Sequence, residues 1–211
     1  MMNETISVDC KCSDKVKIIA LTGKAGCGLH EAKDFLTSHR NVSSITRVEA
    51  IDTNSFLNKI IKGQIVEASC DKNDVVWGTD ISTCLTCCLY VGIYTPEQIA
   101  NIRDSGTVEI LPIVIDMPAE ARILHMLGVT TDPSLTKCSS LEMVTDTCKR
   151  FLKSEEEFDD ILDYLDTKTA LFYTVDDHRD LDMNLKYASF ILAMKSFNRE
   201  HNFITDLDNF I

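Results

Sequence analysis

No stretch of this chain approaches the uninterrupted run of about 18 apolar residues that a membrane-spanning helix needs. The first residues, Met1 to Asp14, are polar and acidic, without the apolar segment of a signal peptide. A cytoplasmic protein with no membrane partner is the expectation. Positive charge is scarce: 21 Lys and Arg against 33 Asp and Glu leave a formal net charge of −12. Such a surface repels nucleic acid and anionic membranes, and the chain has no basic stripe with interleaved aromatics. A nucleic-acid partner is therefore not expected, and a site for any phosphorylated ligand has to be a local basic exception. No internal repeat and no low-complexity segment is present.

A disulfide framework is also disfavoured. The nine cysteines are odd in number and no secretion signal accompanies them. Cys10 with Cys12, and Cys84 with Cys87 and Cys88, supply thiolates of the type found in four-cysteine zinc sites. No glycine and proline punctuation surrounds them, however. The helical spacing of Cys84, Cys87 and Cys88 predicts small apolar groups packed in the interior. No metal is expected.

What the chain has is an ordinary globular composition, 45% hydrophobic and 26% charged, over a length that suits one medium domain. Apolar, β-branched runs predict strands at Val16 to Thr22, Gln64 to Ala68, Leu89 to Tyr94, Val108 to Ile115 and Ala170 to Val175. Pro112 is out of place inside the fourth of these. Periodic patterns predict helices over His30 to Ser38, Asn54 to Lys62, Pro96 to Arg103, Pro118 to Leu127, Leu141 to Leu165 and Leu181 to Phe197. Asn41 to Gly78 is otherwise mixed and polar. Gly128 to Ser140 reads as a loop, and Asn198 to Ile211 as a tail with no assigned place. Strands alternating with helices imply a parallel sheet covered on both faces, an α/β fold in three layers.

The first strand runs into Gly23-Lys24-Ala25-Gly26-Cys27-Gly28-Leu29-His30. A glycine-rich loop between strand and helix is the setting in which backbone N–H groups surround a phosphate. The G-x-x-x-x-G spacing is that of a P-loop, but the lysine and the Ser or Thr that should follow are replaced by Leu29 and His30. Lys24 is the loop's own cation. A plain glycine turn joining strand to helix is the alternative for this segment taken alone.

Later motifs accompany that loop in order: Ser44-Ile45-Thr46-Arg47, Phe56 through Ala68 (FLNKIIKGQIVEA), Trp77-Gly78-Thr79, Ile113 to Glu120 (IVIDMPAE), Lys149-Arg150 followed by Glu155 to Phe158, and Tyr173 to Asp177 (YTVDD). Together they resemble the guanylate kinase family over about Val16 to Phe197. The resemblance implies a P-loop nucleoside monophosphate kinase fold over 15–197, with a monophosphate-binding insert at about 41–79 and a short lid at about 127–141. Residues 1–14 would form a polar arm and 198–211 a tail. It further implies that Ser44 and Arg47 serve an acceptor monophosphate, that Glu67 faces a guanine edge, and that Trp77 and Thr79 touch monophosphate and base.

The departures bear on activity. Besides Leu29 and His30, Leu127-Gly128 stands where the family has Arg-Gly, and Trp77 lacks the phenol oxygen of the family's tyrosine. Phosphoryl transfer depends on positioning and on positive charge at the moving group. The resulting expectation is a guanylate-kinase-like pseudoenzyme, a monomer or homodimer, that binds a nucleoside monophosphate such as GMP, a protein partner, or both. The alternative is an active kinase with a rearranged loop, using ATP and Mg²⁺ with Lys24, Arg122 and Arg150. Each residue also has a plainer reading. Glu67 suits a surface carboxylate, Arg47 a solvated loop cation, and Lys149 and Arg150 an exposed helix face with acidic i, i+4 neighbours.

Overall fold

A computed structural model describes residues 14–45, 47–71, 73–128, 140–158, 164–176 and 184–211. The stretch expected as a lid lies almost wholly outside them, as do Thr46, most of the N-terminal arm, and Cys10, Cys12 and Cys138.

Five strands form a parallel sheet: β1 (Val16–Thr22), β2 (Val42–Ser44), β6 (Leu89–Ile93), β7 (Val108–Asp116) and β8 (Leu171–Thr174), in the order β2-β6-β1-β7-β8. A second sheet of three antiparallel strands, β3 (Arg47–Glu49), β4 (Ile65–Cys70) and β5 (Val76–Asp80), has the order β3-β5-β4. Helix α2 (Thr53–Ile61) packs on β4, with the Asp52 carboxylate capping it by accepting from the N–H groups of Asn54 and Ser55.

The residues of β1 are all buried, as a central parallel strand requires. Their side chains alternate between two cores. Ile19 and Leu21 join Ala32 and Leu36 of α1 (Leu29–Thr37) with Phe190 and Met194 of the last helix. Val16, Ile18 and Ala20 join Ile99 and Ile102 of α3 (Pro96–Asp104), plus Leu165 and Ala170. Two helical layers thus sandwich the sheet. Helix α3 begins with a capping box between Thr95 and Gln98 and with Pro96 in its first turn, where a missing N–H costs no bond. Pro112 pairs with Ala20 of β1, and the β8 ladder begins one residue further on, at Ile113, so the proline precedes that ladder.

Two further helices follow β7: α4 (Ala119–Leu127) and α5 (Leu141–Glu157). The last, α6, spans Asn184–His201. Several expectations need correcting. Leu165 is not helical; it is a fully buried residue just before an Asp166 turn whose carboxylate accepts from the N–H groups of Lys168 and Thr169. Cys84, Cys87 and Cys88 lie in turns between β5 and β6, with Cys87 exposed and the other two half-buried, because apolar spacing does not override turn-forming neighbours such as Asp80 and Ser82. Val42–Ser44 belongs to the main sheet. The tail is packed: Ile204 and Leu207 are buried, and the Asn198 side chain holds both the N–H and the carbonyl of Ile204.

Candidate functional site

The glycine loop leaves the C-terminal end of β1, the central strand, from which the chain turns to β2 on one side and later to β7 and β8 on the other. Such a switch point leaves a crevice beyond the strand ends. Gly26 adopts a φ of 85°, and a Cβ there would lie 2.7 Å from both the Arg122 carbonyl oxygen and Met126 Cγ. The loop is therefore packed against α4 at a distance that only glycine permits.

Helix α4 fastens it there. The Arg122 side chain, buried to 3% exposure, donates from Nε to the Met117 carbonyl (2.9 Å) and from Nη1 to the Ala25 carbonyl (3.3 Å). His125 places Nδ1 2.7 Å from the Gly26 carbonyl oxygen and Nε2 3.0 Å from Glu31 Oε1 on α1. A carbonyl and a carboxylate only accept, so the imidazolium is the form that satisfies both contacts. The His125 contact is the main cause that holds the Glu31 carboxyl below its ordinary range. Cys27 is buried beneath the loop, and that burial pushes its thiol up to about 12.

Helix α5 reaches the loop with its last turn. The Ala25 N–H donates to Ser154 Oγ at 2.6 Å. Lys24 Nζ donates to Glu155 Oε2 at 3.1 Å, and Arg122 Nη2 lies 2.7 Å from Glu155 Oε1 in an ion pair off hydrogen-bond alignment. The Arg122 guanidinium also stacks over Phe151 of α5, 4.9 Å from the ring centre. Burial pushes the Glu155 carboxyl up, but Arg122 and Lys24 outweigh it and hold the group below its ordinary range.

A second polar group lies in the three-stranded sheet. Arg47 donates from Nε to Glu67 Oε2 and from Nη2 to Glu67 Oε1, both at 3.1 Å, and Nη2 also reaches Ser69 Oγ (2.7 Å) and the Trp77 carbonyl (3.1 Å). The Glu67 carboxylate is wholly buried. Thr79 Oγ1 sits at the edge of hydrogen-bond range between Glu67 Oε2 (3.4 Å) and the Tyr94 hydroxyl (3.5 Å). Burial pushes the Tyr94 phenol up to about 12, so the hydroxyl stays neutral.

Most of the residues that the sequence proposed for an acceptor site thus meet. Arg47, Glu67 and Thr79 are directly joined, and Trp77 contributes its carbonyl while its indole N–H donates to Asp71 (3.3 Å). Ser44 does not join them; it is exposed at the end of β2. On the loop side, Gly23, Gly28 and Cys27 form the turn, Leu29 packs against the core, and His30 is exposed. Arg150 is exposed on α5, and among the described residues no hydrogen bond or ion pair joins it to the loop. Sequence reasoning missed Ser154 and Glu155, which lie about 130 residues from the loop they touch, and Tyr94, whose only signal was an aromatic ending an apolar strand. Among the described residues no three His, Cys, Asp or Glu side chains are grouped to hold a metal ion, and no helix is long and apolar enough to cross a membrane.

No family model matches the chain. No curated protein matches it either. Among solved structures, the chain is similar in fold to a guanylate kinase from Anaplasma phagocytophilum, with 12% identity, a TM-score of 0.45, and 92% of this chain and 99% of that one covered. It is also similar to the protein APE1195, with 16% identity, a TM-score of 0.40, and 88% and 98% of the two chains covered.

Proposed function

We propose that the chain is a guanylate-kinase-like pseudoenzyme that binds a nucleoside monophosphate, a protein partner, or both at the Arg47 face without efficient phosphoryl transfer. The observation that carries this reading is the state of the glycine loop. Leu29 packs against the core where a P-loop lysine would face phosphate, His30 is exposed where a Mg²⁺-binding hydroxyl would stand, and Lys24 and Arg122 are both paired with Glu155. Charge at the transferred group is the main thing such an enzyme supplies.

The acceptor side keeps a partly exposed cation. Arg47 is about one quarter exposed and offers charge-assisted donors to a monophosphate, whereas the Glu67 carboxylate beside it is wholly buried and engaged by Arg47. Calorimetry with GMP, dGMP, TMP, ATP and ADP, with Mg²⁺ present, tests the reading. The expected result is weak, selective GMP binding with ATP no tighter than the millimolar range. Micromolar ATP binding with GMP-dependent ADP release would overturn it in favour of the active kinase.

A further inference from the structure

A phosphate-binding loop holds its ligand with backbone N–H groups and nearby cations. Here each type of group is already engaged, and one turn of one helix engages both. The Ala25 N–H donates to Ser154 Oγ, while Lys24 and Arg122 share the two oxygens of Glu155. The carboxylate takes the place of an anion between two cations of the loop and α4. Arg122 cannot withdraw from this arrangement, because its other nitrogens are bonded to the Met117 and Ala25 carbonyls and its face lies over Phe151. Lys24 and the α5 turn are the parts able to move.

The helix itself supplies a second, independent observation. Ser154 and Glu155 stand in the last stretch of α5, together with Glu156 and Glu157, and its last turn has no basic residue. Acidic residues at a helix C-terminus oppose the helix dipole, and terminal turns open at the least cost in the molecule. That turn therefore depends on Lys24 and Arg122 for its electrostatic balance.

We propose that the Ser154–Glu155 turn is a built-in occupant of the glycine loop, an intramolecular anion that has to leave before a polyphosphate group enters. This inference rests on the loop being a former phosphate site, and it deepens that reading by naming what closes it. The occupant and a nucleoside triphosphate's phosphate chain then compete for the same two cations and the same N–H. The loop is closed by its own chain as well as impaired by Leu29 and His30.

The test is calorimetric titration of the full chain with inorganic tripolyphosphate, which has no base and so reports the loop rather than the Arg47 face. Glu155→Gln is expected to bind at least about tenfold tighter than wild type, the usual scale for one charge-assisted contact regained. Glu156→Gln removes the same charge from an exposed position one residue away and is expected to leave the affinity at the wild-type level. Adding Lys24→Ala to Glu155→Gln is expected to abolish the gain. Glu155→Asp, which keeps the charge but shortens the arm, is expected to show a smaller gain in the same direction and serves if the glutamine variant does not fold. A folded Glu155 variant that binds no tighter than wild type overturns the proposal, as does an equal gain from Glu156→Gln. The wild-type GMP titration can fail or succeed independently of this one, so the two readings are separable.

Discussion

Arg47 on β3 grips Glu67 on β4, 20 residues away in sequence, with two nitrogens, each 3.1 Å from a different carboxylate oxygen. The carboxylate is wholly buried while the guanidinium is about one quarter exposed. A charge so placed is tolerated because its partner is, and removing one member leaves the other uncompensated.

Arg47→Ala and Glu67→Gln are each expected to destabilise the protein by about 2–3 kcal/mol, below the full cost for a completely buried pair because Arg47 is partly solvated. The double variant is expected to lose less than the sum, with a coupling of about 1–2 kcal/mol measured by urea unfolding in a double-mutant cycle. Strict additivity would show that the pair does not function as a unit. The same Arg47→Ala variant, if folded, is expected to weaken GMP binding by about 1.5–3 kcal/mol.

A pH dependence follows from Glu31. Its carboxyl is held below the ordinary range chiefly by His125, so its folded value lies below its unfolded one. The contact therefore contributes stability that is present above the unfolded value of about 4.5 and is lost as pH falls through the folded value. Glu31→Gln is expected to cost about 0.5–1 kcal/mol at pH 5.5, where an ordinary histidine, with a value of about 6.5, is charged. The difference from wild type is expected to shrink as the pH falls below about 4.5 and through the folded value. A constant difference across that range, followed by denaturant unfolding, would remove Glu31 from this role.

How much of this was legible beforehand depended on the range of the interactions. Strands β1, β6, β7 and β8 of the main sheet, though not β2, and helices α1, α3 and α4 were readable because their apolar patterns are local and their ends carry local signals, such as Thr95 with Gln98 and Pro96. Strands β3 and β5 were not, because they are short and polar, and they form by pairing with each other and with β4. The C-terminal tail likewise draws its order from afar: Thr205 donates from N and Oγ1 to Glu109 on β7, 96 residues away. Arg47, Glu67 and Thr79 were named from the resemblance of their motifs to the guanylate kinase family, yet their mutual contact was not visible in those motifs. Neither was the contact of Ser154 and Glu155 with the loop.

Cys27 offers a check on the loop's packing. Burial pushes its thiol up to about 12, whereas Cys70, Cys87 and Cys148 are exposed. The thiolate is the reactive form, so at pH 8 an alkylating reagent is expected to modify those three and leave Cys27 untouched until the protein is unfolded. Peptide mapping by mass spectrometry reads the result. Labelling of Cys27 at the rate of Cys87 in the native state would mean that the loop opens readily away from α4.

The last prediction asks whether the missing donor chemistry can be restored. The backbone of the loop has P-loop spacing, with Gly26 and Gly28 both at positive φ. Leu29→Lys with His30→Ser would supply the ammonium and the Mg²⁺-facing hydroxyl at the positions an intact motif requires. Leu29, however, packs against the core, and Glu155 already occupies the neighbouring cations. A lysine there has to turn out of an apolar contact, at a cost of about 1–2 kcal/mol in lost burial for a half-buried leucine. The double variant is therefore expected to gain Mg²⁺-dependent ATP binding of only a few-fold by itself, and considerably more when combined with Glu155→Gln. Turnover is expected to stay poor in both, because the resemblance to the guanylate kinase family places Leu127 where that family has a lid arginine to neutralise charge in the transition state. ATP affinity by calorimetry and GMP-dependent ADP release, measured beside wild type, decide the matter. If the triple variant folds and binds ATP no better than wild type, the loop does not present its N–H groups to phosphate, and its descent from a kinase donor site has to be given up.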